Sequence, residues 1–267
     1  MQINTQSIVE EGKKPVVIMF KRQRKGVLDL WLLKNSLKQW SRLYKNIDGL
    51  YICGIYPENE LNLMLNYLTA DFITKYKVTV MNIIEIPKMY NNTKVNRANY
   101  QHIMAYEILK RGFVVGYNDM FPVKPIDDTY LNKEYKILHK DYRKMKPEDH
   151  YWWADFFIKT SEWFKEHYNL ENYIMYKGHN PQYYSKEFME FYLEHPELHI
   201  DMNRDTVLLH WNLVKGYNVL RDDYMLNTYF NNKWLPTKSG IKTKKMIDVT
   251  VPESKKTINL LKKLLLK

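Results

Sequence analysis

The richest cluster of reactive groups in this sequence lies between Phe113 and Pro125. There the apolar run Phe113 to Tyr117 ends on Asn118-Asp119, and Met120, Phe121 and Pro122 then turn the chain. A carboxylate beside an amide at the end of a strand offers oxygen ligands to a hard divalent cation, which can clamp phosphate oxygens. The same dipeptide also suits a plain strand-terminating turn. Two other groups can meet phosphate. Lys21-Arg22-Gln23-Arg24-Lys25 sets four cations within five residues directly after the run Pro15 to Phe20. Such a run neutralises a diphosphate, tracks a polynucleotide backbone, or is a solvated basic loop. Lys94, Asn96 and Arg97 open a helical pattern, where backbone N–H groups and the helix dipole favour an anion. For proton transfer the candidates are Asp149 and Asp155, which flank Trp152-Trp153. Either acid can take a proton from an acceptor hydroxyl while the indoles stack against it, and either can instead cap a helix. His179, in Gly178-His179-Asn180-Pro181, sits in a turn-like context that presents an imidazole.

These side chains act together only if the elements carrying them converge. Pro15 to Phe20, Leu50 to Ile55, Lys77 to Ile86 and Phe113 to Tyr117 are short runs rich in β-branched and apolar residues, and they read as strands. Between them, Val27 to Tyr44, Asn59 to Ala70 and Asn96 to Lys110 carry helical spacing, with Gly112 suited to the position after the last helix. Strands separated by helices predict an α/β fold with a mostly parallel sheet flanked by helices. Ligands of such sheets bind at the carboxyl ends of the strands, where Asn118 and Asp119 fall. The second half is aromatic and helical, with a helix over Phe156 to His167. A single domain over 1–267 is expected, its residues 15–125 forming one functional half and 126–253 the other. Residues 254–267 read as a basic amphipathic helix, able to lie on anionic lipid or to dock on the protein's own sheet.

Several classes of protein are excluded or disfavoured. The nine glycines form neither G-x-G-x-x-G nor G-x-x-x-x-G-K-[ST], and neither G-x-S-x-G nor H-E-x-x-H occurs. His195 and His199 have helical spacing, but Pro196 lies between them and a surface turn is expected. The pairs Asp127-Asp128 and Asp222-Asp223 are expected to be solvated. One cysteine, no signal-like start and no apolar run near the ~20 residues of a membrane span predict a soluble, cytoplasmic protein. Lys and Arg number 41 against 30 acids, a net charge of +11 that favours a polyanionic partner. Codon bias toward Lys, Asn and Tyr is the plainer account. Twenty-two tyrosines and seven tryptophans suit stacking on sugars or bases and equally suit a core.

The stretch 113–125 resembles the Asp-x-Asp region of GT-A glycosyltransferases. It is especially similar to a branch, shared by phage-encoded and capsule- or surface-polysaccharide transferases, whose motif runs roughly Asn-Asp-Asp-hydrophobic-Phe and then Lys-Pro, here Lys124-Pro125. Val16 to Phe20 resembles the first nucleotide-binding strand, and Leu30 to Leu43 with Leu50 to Pro57 the helix and strand that follow. Lys94 to Tyr100 resembles the start of the helix before the motif. Trp152-Trp153 and Tyr176 to Glu187 are similar to later aromatic and His-x-Pro blocks, so the resemblance spans Val16 to Trp211. It implies a nucleotide-sugar donor, a UDP-sugar by preference, and hexosyl or pentosyl transfer to a hydroxyl. It implies donor contacts from Lys21, Arg22, Arg24, Lys94, Asn96, Arg97, Tyr117, Asn118 and Asp119, and acceptor contacts from Trp152, Trp153 and His179. Asp119, Asp155 and Asp149 are its catalytic candidates, and Asp119 with His179 its ligands for Mg²⁺ or Mn²⁺. The sequence departs from the motif at Asn118, where the branch has a carboxylate. Duplex phage DNA carrying 5-hydroxymethylated pyrimidine is the preferred acceptor, with action in the host cytoplasm. A surface polysaccharide, with membrane contact through the tail, is the second reading, and a non-catalytic nucleic-acid-binding protein the third.

Overall fold

Val16, Val17 and Ile18 are all fully buried, which requires a strand covered on both faces. The computed structural model describes residues 12–21, 27–128, 131, 136–138, 154–170, 173–175, 182–216, 225–227 and 246–248. Of residues 121, 136–138, 154–157, 173–175, 225–227 and 246–248 it describes the backbone alone. In chain order the first half holds β1 (Lys14–Met19), α1 (Leu28–Leu43), β2 (Ile47–Gly54), α2 (Glu58–Leu68), α3 (Ala70–Tyr76), β3 (Val78–Asn82), α4 (Lys94–Leu109), β4 (Phe113–Tyr117) and β5 (Met120–Pro122). Then come β6 (Lys136–Leu138), α5 (Ala154–Tyr168), β7 (Tyr173–Met175), β8 (Gln182–Tyr184), α6 (Lys186–Glu194), α7 (Arg204–Val214), β9 (Met225–Asn227) and β10 (Met246–Asp248).

The fold is α/β. Its main sheet runs β3-β2-β1-β4-β8, parallel throughout except for β8, which pairs antiparallel with β4. β1 to β3 step outward in one direction, and the chain then crosses back to place β4 on the other side of β1. Right-handed crossovers demand that a reversal of direction switch the face of the sheet. The two cores follow that rule. Val16, Ile18, Leu50 and Ile52 meet Leu33, Leu37 and Trp40 of α1 and Met64 and Leu68 of α2 on one face. Val17, Met19, Cys53 and Val115 meet Ile103 and Tyr106 of α4, with α6 and α7 behind them, on the other. Smaller sheets join β5, β10 and β9, and β6 with β7.

Apart from the exposed Tyr168, the aromatics of the second half whose side chains are described are core. Phe164, Phe188 and Tyr192 are fully buried, and Phe191 stacks on Trp211 with ring centres 4.1 Å apart.

Four sequence expectations are corrected. Asn59 to Ala70 is not one helix: α2 stops at Thr69, whose φ of 66° breaks the turn and whose Oγ1 caps α3 by accepting from Phe72 N. Lys110, not a glycine, takes the left-handed position that ends α4. Gly112 instead allows close approach, since a Cβ there would lie 2.2 Å from Tyr183 Oη. Asp128 is no solvated acid: it accepts from Lys14 Nζ at 2.9 Å, from Asn46 Nδ2 at 2.8 Å and from Tyr44 Oη, tying the amino edge of the sheet to α1. His199 is buried rather than on a surface turn, and it accepts from Tyr90 Oη through Nδ1 and donates from Nε2 to the Tyr192 carbonyl. Asp222-Asp223 and residues 254–267 lie outside the described residues.

Candidate functional site

Strand order reverses between β1 and β4, and open α/β sheets take ligands in the crevice at the carboxyl ends of the strands beside such a switch point. Met19 of β1 pairs with Tyr117 of β4, so Lys21 and Asp119 each lie two residues past that pair, one on either side of the switch point. Lys21 is exposed, Asp119 half-buried and Asn118 buried.

The turn that carries Asn118 and Asp119 is held from below by α1. Ser36 Oγ lies 3.2 Å from both the Tyr117 and Met120 carbonyls, and Trp40 Nε1 donates to the Met120 carbonyl at 3.3 Å. Ser36 and Trp40 are fully buried, so water does not compete for these bonds. Gly116, the penultimate residue of β4, makes the approach possible, because a Cβ there would sit 3.2 Å from the Trp40 indole nitrogen and 2.9 Å from Ile18 Cδ1. On the other side of β1, Tyr56 Oη donates to the Phe20 carbonyl at 2.8 Å, passing over Gly54. Asn82 closes the β3 end, accepting from Tyr56 N at 2.9 Å and donating to its carbonyl at 3.1 Å. A rigid floor thus underlies the strand ends.

A buried polar cluster lies against the end of β4. Arg204, the first residue of α7, donates from Nε to His102 Nε2 at 3.0 Å and from Nη2 to Tyr117 Oη at 2.7 Å. His102 Nδ1 donates to the Ala98 carbonyl at 2.7 Å, which fixes its tautomer as the Nδ1–H form. Burial, then the facing Arg204 charge, hold the His102 pKa well below the usual imidazole range. Asp205 accepts from Tyr184 Oη at 2.5 Å and lies 3.7 Å from Arg204. Burial pulls the Arg204 pKa down, but Asp205 and the Tyr117, Tyr184 and Tyr192 phenols outweigh it, so the guanidinium stays charged. Sequence reading missed this cluster. Arg204 and His102 are 102 positions apart, and no local spacing joins them.

Lys94 and Arg97 stand in the first turn of α4, Lys94 exposed and Arg97 half-buried with Nε 3.4 Å from the Thr93 carbonyl. No acid of α4 occupies that turn, and the Asp201 carboxylate stands against it, 3.4 Å from Asn96 Nδ2. Asn96 is different. It is fully buried, accepts from Asp201 N at 2.8 Å and donates to Asn92 Oδ1 at 2.7 Å, so it ties α4 to the segment before α7. Asp155 is the second residue of α5. Arg22, Arg24, Asp149, Trp152, Trp153 and His179 lie outside the described residues. Among the described residues, no group of three or more His, Cys, Asp or Glu is arranged to hold a metal ion, and no helix is long and apolar enough to cross a membrane.

No protein-family model matches this sequence, and no curated protein matches it. Among solved structures the chain is similar to a glycosyltransferase involved in the glycosylation of the major capsid of PBCV-1. The likeness covers 93% of this chain and 99% of that one, with a TM-score of 0.44 and 11% identity. At those values it transfers neither fold detail nor activity to this chain.

Proposed function

We propose that this protein is a nucleotide-sugar-dependent glycosyltransferase with Asp119 as the central acid of its donor site. One observation carries the reading: the switch point sets the rigidly held Tyr117-Asn118-Asp119 turn beside Lys21, in the crevice where an α/β sheet binds its ligand. Sugar transfer leaves a nucleoside diphosphate, and its departing charge must be neutralised while positive charge develops at the anomeric carbon. Lys21, Lys94 and Arg97 supply cationic charge at the carboxyl edge. A divalent cation would supply Lewis-acid clamping of the diphosphate, and Asp119 fits it as the single carboxylate, since Mg²⁺ is commonly held by one or two carboxylates plus substrate phosphates. The +11 net charge favours a polyanionic acceptor, which we take to be duplex DNA carrying hydroxymethylated pyrimidine, with the sugar a hexose or pentose on UDP.

The test is turnover of nucleotide sugars, by release of the nucleoside diphosphate. Asp119→Ala is expected to lower kcat by at least about 100-fold, the scale of losing a principal electrostatic contact. Its melting temperature should fall little, because Ser36 and Trp40 hold the turn's backbone. If wild-type protein neither binds nor hydrolyses any nucleotide sugar, the proposal is wrong. Excess EDTA is expected to depress turnover, and full activity in EDTA would assign the leaving-group charge to Lys and Arg alone.

A further inference from the structure

A guanidinium taken from water needs acceptors for its five N–H donors, or it costs several kcal/mol. Arg204 is 7% exposed, yet among the described residues not all of its donors find an acceptor. Nε faces His102 Nε2 and Nη2 faces Tyr117 Oη. Both of those acceptors are neutral, and the acid facing it among the described residues, Asp205, is shared with Tyr184 Oη. Nη1 donates to no group among the described residues. It is also not among the sealed side-chain atoms that lack a partner, which belong to Asn99, Gln182 and Asn212. One edge of the guanidinium is therefore closed by protein and one nitrogen is left open.

Its position is fixed from several sides. Asn96 holds Asp201, Asn99 donates to the His199 and Met202 carbonyls at 2.9 and 2.8 Å, and Asn203 Oδ1 caps α7 at Thr206 N. A row of α4 side chains at three-residue spacing, Asn96, Asn99 and His102, thus sets both the start of α7 and the Arg204 side chain. The hydroxyl that Arg204 bonds belongs to the last residue of β4, directly before Asn118-Asp119. A donor preplaced in a water-poor setting at the end of that strand favours an oxyanion.

We propose that Nη1 of Arg204 is an oxyanion donor at the β1–β4 switch point, taking a phosphate oxygen of the donor's diphosphate. The naming of the anion as a nucleotide diphosphate rests on the glycosyltransferase reading. Lysine does not replace this group, because a single ammonium cannot hold His102, Tyr117 and an oxyanion at once.

Two experiments on the full chain decide it. In the first, phenylglyoxal modifies wild-type protein with and without inorganic pyrophosphate, against a sodium chloride control of matched ionic strength, and the Arg204 peptide is quantified by mass spectrometry. Slow labelling of Arg204 that pyrophosphate suppresses, and chloride does not, is expected. An Arg204 that never reacts, or reacts equally in both conditions, overturns the proposal. In the second, pyrophosphate affinity is measured by calorimetry for wild type and Arg204→Lys. Arg204→Lys should weaken binding by roughly tenfold or more, the scale of a charge-assisted bond. A folded Arg204→Lys that binds as tightly as wild type also overturns it. Should that variant fail to fold, the wild-type labelling alone decides. Arg204 protection without turnover of any nucleotide sugar would keep the anion site and remove the glycosyltransferase reading. Turnover without protection would do the reverse.

Discussion

His102 and His199 are two imidazoles whose protonation the fold opposes. His102 meets the Arg204 guanidinium at Nε2, the Ala98 carbonyl at Nδ1 and the Tyr184 ring 5.2 Å away. His199 is closed between the Tyr90 hydroxyl and the Tyr192 carbonyl. Burial first, and for His102 the Arg204 charge second, depress both pKa values, while the unfolded chain keeps its ordinary value near 6.5. As pH falls through that value the unfolded state takes up protons that the native state refuses. Stability is therefore fully present above about pH 6.5 and declines below it, by up to about 1.4 kcal/mol per pH unit for each such histidine. Urea unfolding at pH 7 and pH 5 should show a clear loss at the lower pH, and His102→Gln should flatten it. A stability unchanged between the two would mean that neither ring is held neutral. No window of sequence announces this. Asn96, Asn99 and His102 at three-residue spacing can be read as one helix face, but that they face the segment leading into α7 becomes visible only in three dimensions.

Among the elements, β4 and α1 act as one device. The helical period of α1 was legible from Leu30, Leu33, Leu37 and Trp40, and all four are buried against the sheet. Less legible was why β4 contains a glycine. Gly116 lies where Trp40 crosses toward the Met120 carbonyl, and an added methyl group would meet both Trp40 and Ile18. Gly116→Ala is expected to destabilise by about 1–3 kcal/mol through overpacking of a close-packed core. It should also speed amide exchange at residues 117–120 more than across β2, because the displaced indole is what holds the turn. A variant as stable as wild type, with unchanged exchange, would show that the indole contact does not hold it. Element boundaries were misjudged where a side chain from elsewhere intervened. Lys34 Nζ reaches the Tyr67 and Leu68 carbonyls at 3.3 and 3.5 Å and closes α2 early. Asn82 binds Tyr56 where β3 ends.

For the molecule as a whole, net charge and the switch point make separate claims. A net charge of +11 bears on what the surface attracts and not on what the crevice does. If duplex DNA is the acceptor, its backbone contacts release counterions, and about five phosphate contacts give a log–log salt slope of roughly −4 to −5. Binding of duplex DNA across a salt series should show that slope, with sugar incorporated into hydroxymethylated DNA in preference to unmodified DNA. Absence of DNA binding at low salt, together with sedimentation onto anionic liposomes, would move the acceptor to a surface polysaccharide.

The sequence by itself determined the α/β class, the four parallel strands, three of the helices near their true bounds, and the Asn118-Asp119 turn at the end of β4. Those features follow from local periodicity and from residues that stop a strand, and neither needs knowledge of a partner. Only the tertiary structure decided that Asn96 is a buried anchor and Asp128 a half-buried one, that His199 is internal, and that Arg204 stands behind Tyr117. Each of these depends on the partner a polar group meets on burial. Asn46 and Lys14 for Asp128, Tyr90 for His199 and His102 for Arg204 lie between 82 and 114 positions away along the chain.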